Sequence, residues 1–255
     1  MDSNKKRILV LSVADKLGGA EQILQKVIRH HISNGDLVDL FFLQNMTNES
    51  WGNEELNGLK IIYFNGNILN LVIQLLNYQY FRAYSSHIST SFILGLLRTF
   101  NLLKTKQLVV RESTNIFERY SGFKLLKYKL AYWIGYNKID LVITQTQIMG
   151  EILLKKVPYL QKRVRIVTIP NPFEFPINPI IPVDDTIKGE YIVSAGRFIP
   201  EKGFDLLLTA YSNIKKKYPD LKLVLLGDGR LKDNLLKIVE DLNIRDGVCF
   251  LGFVE

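Results

Sequence analysis

Residues 192–208 read IVSAGRFIPEKGFDLLL, two apolar segments joined by a short turn. The first segment predicts a buried strand that ends at Gly196, and the second predicts a helix that begins near Gly203. The turn between them carries Arg197 and Lys202. A strand, a glycine turn and a helix in this order form the repeating unit of parallel sheets, so the stretch predicts an α/β fold.

The same alternation of strand and helix runs along the rest of the chain. The predicted strands of the first part comprise residues 7–13, 37–43, 60–64, 83–89, 106–113, 139–146 and 163–173. The predicted helices between them comprise residues 19–35, 67–81, 91–103, 124–137 and 147–157. We therefore expect a parallel sheet with helices on both faces and every strand-to-helix loop on one edge, where ligands collect.

A proline-rich segment divides the chain. Residues 172–189 contain four prolines followed by two aspartates, which is typical of a linker. We predict an N-terminal domain at residues 1–171 and a second domain at residues 190–255. The second domain has three predicted strands and two predicted helices, too few to cover its sheet, and we expect it to be incomplete.

Positive charge is concentrated in the first 189 residues. Residues 190–255 hold ten basic and ten acidic residues, so the remaining 23 basic and 15 acidic residues carry the whole formal charge of +8. A basic half indicates an anionic partner, namely a phosphate ligand, a nucleic acid or a membrane surface. Because the chain has no recognised nucleic-acid motif, we expect no nucleic acid as its partner.

Cysteine usage and hydropathy narrow the class of protein. The single cysteine, Cys249, excludes an internal disulfide and a multi-cysteine metal site, and we expect it to be buried in a protein of a reducing compartment. The longest uncharged stretch, residues 61–81, contains six side-chain amides, so a membrane-spanning helix is not expected. The apolar run at residues 8–14 lacks a cleavage pattern and predicts a first strand, not a signal peptide.

The turn after Gly196 has the composition of a diphosphate-binding site. Gly196 permits a tight turn, and the free N–H groups at the start of the following helix favour an anion. Arg197 can grip two oxygens with its planar guanidinium group, whereas Lys202 acts as a mobile point charge. The alternative is a surface turn with ordinary solvated bases.

Two further glycine loops fall on predicted strand ends. Gly227 and Gly229 follow a strand and precede Arg230, a second arrangement suited to a nucleotide phosphate. The chain has neither a Walker loop nor a complete dinucleotide-binding glycine motif. Gly18 and Gly19 follow the first strand, where either close approach of a ligand or an ordinary tight turn explains them.

His87 follows a predicted strand and is therefore expected at the ligand edge of the sheet. Its imidazole could hold a sugar hydroxyl or move a proton, while a hydrogen-bonded structural histidine fits the sequence equally well. His30 and His31 lie in a polar helical stretch, and we expect both to be solvated.

Several motifs taken together resemble one enzyme family. They are GGAEQ at residues 18–22, VVREST at 109–114, IVTIPNPF at 166–173 and IVSAGRFIPEKGFDLLLTAY at 192–211, followed by LKLVLLGDG and VCFLGFV. In order, spacing and identity they resemble glycosyltransferase family 4, a group of retaining enzymes. The resemblance covers most of the chain and is most specific after residue 165.

The resemblance implies a GT-B fold, in which two Rossmann-like domains face each other across a cleft and the second binds a nucleotide sugar, usually a UDP- or GDP-sugar. By analogy Arg197 and Lys202 bind the diphosphate, Gly18 and Gly19 approach the phosphates or the acceptor, and His87 matches a histidine near the transferred sugar. Gly252 and Phe253 match the strand exit that contacts the nucleobase, and they join Gly196, Gly227 and Gly229 in the expected nucleotide site.

The resemblance also implies the chemistry. Sugar transfer leaves negative charge on the departing diphosphate, and preorganised cations stabilise that charge where it develops. Such enzymes need no bound metal, so no metal and no cofactor are expected, and the chain has no Asp-x-Asp motif. The family continues with two glutamates separated by seven intervening residues, which hold the donor sugar and ribose. This chain ends before any counterpart, so we expect a fragment or a truncated product.

The expected acceptor is a glycan or a lipid-linked sugar, as in the synthesis of bacterial capsule or lipopolysaccharide. Residues 117–138 interleave lysines with aromatic side chains, which predicts contact with an anionic membrane from the cytoplasmic side. The alternative there is a core-facing aromatic stripe with a solvated lysine face. The rival function is a truncated or degenerate noncatalytic module that binds a nucleotide, a membrane or a partner.

Overall fold

The computed structural model describes residues 5–16, 18–46, 51, 56–172 and 189–252. The chain divides into two compact units, Met1–Glu174 and Phe175–Glu255. Most of the predicted linker, residues 173–188, lies outside the described residues.

Strands and helices alternate in both units. The strands of the first unit are β1 (Arg7–Ala14), β2 (Leu37–Gln44), β3 (Leu59–Tyr63), β4 (Gln79–Ser85), β5 (Lys104–Arg111), β6 (Leu141–Thr144) and β7 (Arg165–Thr168). Its helices are α1 (Gly19–Ser33), α2 (Ile68–Leu76), α3 (Ile88–Thr99), α4 (Ile116–Arg119), α5 (Gly122–Gly135) and α6 (Gln147–Lys156). The second unit contains β8 (Tyr191–Ala195), α7 (Phe204–Lys215), β9 (Lys222–Leu226), α8 (Lys232–Asp241) and β10 (Val248–Gly252).

The strands of the first unit form one parallel sheet in the order β3-β2-β1-β4-β5-β6-β7. The order reverses at β1, which pairs with β2 on one side and with β4 on the other. In the second pairing Leu11 lies opposite Ser85, so the carboxyl ends of β1 and β4 are neighbours. In open α/β sheets a ligand crevice forms at such a switch point.

Alternate side chains of β1 supply two separate cores. Ile8 and Val10 pack with Leu24 and Ile28 of α1 on one face of the sheet. On the other face Leu9 packs in a larger cluster that includes residues of α2, α3, α5 and α6. Both faces of β1 are thus buried under helices, which is why its sequence is a near-continuous apolar run. The predicted α/β fold with parallel sheets is confirmed.

The predicted helix at residues 67–81 is wrong at its C-terminal end. Helix α2 ends at Leu76, and β4 already begins at Gln79. Tyr80 is fully buried in that strand, and its hydroxyl donates to Asp39 at 3.0 Å. Arg7 pairs with the same carboxylate at 2.8 Å. Periodicity alone does not separate a short apolar helix from a buried strand, and here buried hydrogen bonds across the sheet decide.

The second unit has a three-stranded parallel sheet in the order β10-β9-β8. Its core contains Phe198 and Phe204 from the turn after β8, together with apolar residues of α7, α8 and β9. Cys249 of β10 is half-buried, so the expected full burial of this side chain is wrong.

Helices α3 and α5 meet at a pair of glycines. A Cβ atom added to Gly95 would lie 1.7 Å from the carbonyl oxygen of Gly135, and one added to Gly135 would lie 2.7 Å from the Cα of Phe92. No heavy atom can occupy these positions, so the glycines set how closely the two helices approach.

We therefore expect Gly95→Ala to lower the free energy of unfolding by about 2–3 kcal/mol, the upper part of the range for overpacking. Urea unfolding followed by circular dichroism measures this. The matched control is Gly19→Ala, because a Cβ at Gly19 would meet nothing within 4 Å. An equal effect of the two substitutions would show that the glycine contact does not limit the packing.

Candidate functional site

The carboxyl ends of β1 and β4 bring two polar side chains together at the switch point. Glu21 lies in the first turn of α1, and His87 is the N-cap residue directly before α3. Nε2 of His87 lies 2.5 Å from Oε1 of Glu21. The Glu21 side chain is 11% exposed and that of His87 is 33% exposed, so the pair is open to solvent on the histidine side. His87 is thus at the ligand edge, as predicted.

The carboxylate of Glu21 is held in its charged form. Burial raises its pKa, but hydrogen bonds from His87 and from the backbone of Glu21 and Gly18 outweigh burial and lower the pKa overall. The backbone contact with Gly18 resembles half of a capping box, in which a glutamate in the first turn satisfies a free N–H. The start of α1 therefore already has an anionic partner from its own chain.

The carboxylate of Glu21 explains why position 18 is a glycine. A Cβ atom on Gly18 would lie 2.8 Å from Oε2 of Glu21, whereas one on Gly19 would meet nothing within 4 Å. Of the two glycines predicted to approach a ligand, Gly18 has a clear structural reason within the chain. Glu21 was not singled out as a site residue in the sequence; its position in the first helical turn after a glycine pair was the available signal.

Arg111 ends β5 close to the same edge. It is 9% exposed, and its Nη2 donates to the side-chain oxygen of Asn171. The side-chain nitrogen of Asn171 in turn donates to the side-chain oxygen of Gln145 at 3.3 Å. Its Nη1 is buried without a hydrogen-bond partner among the described residues. Burial lowers the pKa of Arg111, and the nearby charge of Glu21 partly opposes this. Arg111 and Glu21 therefore offset each other's charge beside His87.

The next residue, Glu112, is a buried acid. Its two carboxyl oxygens accept hydrogen bonds from the hydroxyls of Tyr132 at 2.8 Å and Tyr136 at 2.7 Å. Burial raises the pKa of Glu112, and the two tyrosine hydrogen bonds offset only part of that effect. The cluster ties the residue after β5 to α5 and to Tyr136, which follows α5.

The raised pKa has a consequence for stability. Because the folded chain binds this proton more tightly than the unfolded chain, Glu112 destabilises the fold increasingly as pH rises from its ordinary pKa of 4.5 through its folded value. We expect Glu112→Gln to gain stability relative to wild type as pH rises. Urea unfolding at pH 5, 6, 7 and 8 measures the difference. The exposed Glu118 gives the control variant Glu118→Gln, and a difference that stays constant with pH would contradict the expectation.

In the second unit the structure brings Arg197 and Lys202 to the same strand end. Both side chains are exposed, and neither has an ion pair or a side-chain hydrogen bond within the described residues. A Cβ atom on Gly196 would lie 3.7 Å from Cδ of Lys202, so the lysine stem passes beside the residue that precedes Arg197. Gly203 adopts the left-handed conformation (φ 63°) and starts α7, which has no side-chain cap. Two free cations therefore flank Gly196 near an uncapped helix start.

The glycines of this unit pack strand ends against each other. A Cβ on Gly227 would lie 2.0 Å from the carbonyl oxygen of Gly196, and one on Gly229 would lie 2.7 Å from that of Phe198. The Gly227 N–H also donates to the carbonyl of Gly252 at 2.6 Å. These predicted nucleotide-site residues are thus adjacent, and contacts within the protein already account for Gly227 and Gly229. Phe253 lies outside the described residues.

One other sequence interpretation is wrong, and one holds only in part. His31 is buried, not solvated, since its Nδ1 lies 2.7 Å from Oδ2 of Asp36 and its Nε2 lies 3.1 Å from the hydroxyl of Tyr84. One side of α5 faces the core as the alternative expected, with Tyr132 buried and Tyr128 packed against the core, but a second apolar side faces solvent. Four of its residues are exposed, namely Phe123 (72%), Leu126 (60%), Leu130 (53%) and Trp133 (62%).

The second unit carries the similarity to a known family. Residues 184–255 match the family described as Glycosyl transferases group 1. This range contains the two cations and the packed glycine loops of the second unit. The match covers well under half of the chain, and the first unit is related to known proteins through individual relatives and solved structures.

Two curated relatives illustrate the similarity. A Campylobacter jejuni protein, N-acetylgalactosamine-N,N'-diacetylbacillosaminyl-diphospho-undecaprenol 4-alpha-N-acetylgalactosaminyltransferase, is 33% identical over 149 residues, covering 58% of this chain and 40% of the relative. An uncharacterized glycosyltransferase of Methanocaldococcus jannaschii is 30% identical over 133 residues, covering 48% of this chain and 32% of the relative. The aligned part of this chain thus spans less than half the length of either relative.

Solved structures share the fold over nearly the whole chain. Anabaena HepE, crystallised with UDP and glucose, superposes with a TM-score of 0.75 at 18% identity, covering 98% of this chain and 70% of its own. Sucrose-phosphate synthase from Thermosynechococcus elongatus gives a TM-score of 0.74 at 17% identity, with 98% and 71% coverage. At these identities the likeness establishes the fold, which agrees with the predicted glycosyltransferase-type α/β architecture.

The described residues contain neither a candidate metal cluster nor a candidate membrane span. No group of three or more histidine, cysteine, aspartate or glutamate side chains there is arranged to hold a metal ion. None of the helices within the described ranges has the length and apolar character that crossing a membrane requires.

Proposed function

We propose that this chain belongs to a retaining family 4 glycosyltransferase that moves a sugar from a UDP- or GDP-sugar to a glycan or lipid-linked acceptor. The supporting observation is the pair of exposed cations, Arg197 and Lys202, that flank Gly196 at the end of β8. A departing diphosphate needs such charges, because each must interact more strongly with the transition state than with the bound donor.

The hydrogen-bond donors of the turn suit a phosphate better than a neutral ligand. Arg197 presents a planar fork of N–H donors, Lys202 adds a point charge, and α7 starts without a side-chain cap. Glu201 in the turn and Asp205 in the first turn of α7 carry two negative charges, so the formal charges of residues 196–205 sum to zero and the site relies on where its donors lie. We propose that no bound metal takes part, since the two cations supply the charge that a metal would otherwise bring.

The relatives support the proposed substrates by their names. The Campylobacter jejuni protein is named for transfer of N-acetylgalactosamine to a sugar carried on diphospho-undecaprenol, and another relative is a lipopolysaccharide core glycosyltransferase of Rhizobium meliloti. HepE holds UDP and glucose in its crystal structure. We propose a hexosyl or N-acetylhexosaminyl donor and an acceptor of bacterial surface polysaccharide synthesis, including capsule.

The diphosphate clamp is tested by single substitutions in the gene product that contains this chain. We expect Arg197→Ala and Lys202→Ala each to lower the transfer rate by about two to three orders of magnitude, the loss typical of removing one charge-stabilising donor. Transfer of radiolabelled sugar measures the rate, and calorimetry with UDP and GDP measures nucleotide binding. Lys237→Ala, an exposed lysine of α8 in the same unit, is the control and should leave both unchanged.

Rates within a few-fold of wild type for both variants would refute the clamp. Binding of UDP that depends on Arg197 without any sugar transfer would instead favour the rival function, a noncatalytic nucleotide-binding module.

We also propose that the protein works at the cytoplasmic face of a membrane and touches anionic lipid through α5. The supporting observation is the exposed stripe of Phe123, Leu126, Leu130 and Trp133, whose spacing of three, four and three residues places them along one side of the helix. Exposed lysines at positions 124, 127 and 129 adjoin the stripe. An apolar stripe flanked by cations is the pattern of helices that lie in the interface of an anionic bilayer.

Trp133 provides a direct reporter for this contact. The chain has two tryptophans, and Trp51 is 4% exposed whereas Trp133 is 62% exposed. We expect vesicles containing about a third anionic lipid to shift tryptophan emission to shorter wavelength, and neutral vesicles to do so far less. Replacing Lys124 and Lys127 together with glutamine should weaken partitioning by about ten- to thirtyfold, at about 1 kcal/mol for each lysine.

The matched control replaces Lys155 and Lys156, two exposed lysines at the end of α6, with glutamine. Equal losses for the two pairs would indicate a nonspecific charge effect. Partitioning that ignores lipid charge would contradict the proposed surface.

A further inference from the structure

The contact between Glu21 and His87 does more than fill the sheet edge. A carboxylate 2.5 Å from one ring nitrogen of a histidine accepts its N–H and so decides which nitrogen carries the proton. In the neutral ring, a proton on Nε2 leaves Nδ1 as a hydrogen-bond acceptor. Nδ1 of His87 makes no hydrogen bond to any residue that the structure describes, and the ring is one-third exposed.

Both partners are held by the backbone. The carbonyl of His87 accepts hydrogen bonds from the Ser91 N–H at 2.8 Å and from the hydroxyls of Thr90 at 3.0 Å and Ser91 at 2.7 Å. Glu21 is fixed in the first turn of α1, where Gly18 leaves the space its carboxylate occupies. The pair therefore links two helix starts, and neither side chain needs to reorganise to make the contact.

The place of the pair in the sheet points to a role beyond packing. It stands where the strand order reverses between β1 and β4, the position at which open α/β sheets bind ligands. Arg111 contributes a further buried side chain near this edge. It lies close enough to Glu21 for the charge of that carboxylate to act on the pKa of Arg111. A contact that served only packing would not need to lie at this position of the sheet.

We propose that Glu21 is a positioning residue that holds the imidazole of His87 in one tautomer and orientation, with Nδ1 left to accept a hydrogen bond from a sugar hydroxyl. The inference rests on the proposed glycosyltransferase function for the identity of the ligand. The tie itself is a property of the free protein.

Nitrogen NMR of the labelled protein tests the tie without any substrate. The chain has three histidines, so the ring signals can be assigned with Gln variants at each. We expect wild-type His87 to be protonated at Nε2 across the neutral range, with no population of the Nδ1–H neutral tautomer. Glu21→Ala should produce a tautomer mixture, whereas Glu21→Gln, which retains an acceptor oxygen, should largely restore the wild-type pattern.

Gly18→Ala provides a second route to the same result, because its methyl group would displace the carboxylate while leaving Glu21 in place. The control is Glu151→Ala, which removes an exposed carboxylate of α6 bonded to Gln147. A wild-type ring that averages between tautomers, or a ring that stays fixed in Glu21→Ala and Gly18→Ala, overturns the proposal.

Kinetics of sugar transfer test whether the tie serves the reaction. We expect Glu21→Ala to lower kcat by about ten- to a hundredfold, the range seen when a group that orients another is removed, with KM for the donor changed less than threefold. In a His87→Ala background the same substitution should cost less than about twofold, because Glu21 then has nothing to orient. Additive losses would overturn the positioning role.

The two proposals fail separately. If His87 keeps one tautomer but the protein neither binds nucleotide nor transfers sugar, the proposed function is wrong and the Glu21–His87 contact still stands. Sugar transfer by a protein whose His87 ring averages freely would remove only the positioning role.

Discussion

Parallel pairing of β1 with β4 is the constraint on which the first unit depends. Leu11 lies opposite Ser85, and the chain beyond each strand must then leave the sheet at the same edge. Helices α1 and α3 both begin at this edge. Glu21 and His87 are therefore neighbours, although they lie 66 positions apart in the sequence. The sheet brings Nε2 of His87 to 2.5 Å from Oε1 of Glu21, and this hydrogen bond fixes the imidazole at the edge of the sheet.

Glycines in both units serve close contacts inside the protein. Gly95 and Gly135 let two helices touch, and Gly227 lets one strand end approach the backbone of Gly196. Gly18 leaves room for the carboxylate of Glu21. In each case a methyl group would collide with backbone or with a charged side chain, so the requirement is steric. Glycine-rich loops at strand ends can therefore shape a ligand site indirectly, by fixing the groups that do contact the ligand.

Charge is divided between the two units in different ways. At the switch point of the first unit, Glu21 and Arg111 offset each other beside His87, and hydrogen bonds hold the carboxylate charged despite its burial. At the strand end of the second unit, Arg197 and Lys202 have no anionic partner among the residues described there. Two charges that offset each other suit the orientation of a neutral sugar, and two cations that make no ion pair suit a diphosphate.

Sequence reasoning located most elements and the main cations, because apolar periodicity and glycine turns are local properties of the chain. It predicted β8 and α7 with Arg197 and Lys202 in the turn between them. It also predicted that His87 lies at the edge of the sheet where the strands end. It extended α2 too far, because the burial of Tyr80 depends on Asp39 in another strand. It also missed the burial of His31, which depends on Tyr84.

The sequence by itself determined the class of fold, the alternation of strands and helices and the presence of two cations beside a glycine turn. Only the tertiary structure decided that Glu21 reaches His87, that Gly18 makes space for it and that the stripe of α5 faces outward. The physical reason is that strand order and helix orientation follow from packing between distant segments. Local periodicity fixes which faces are apolar, and the sheet decides what each face meets.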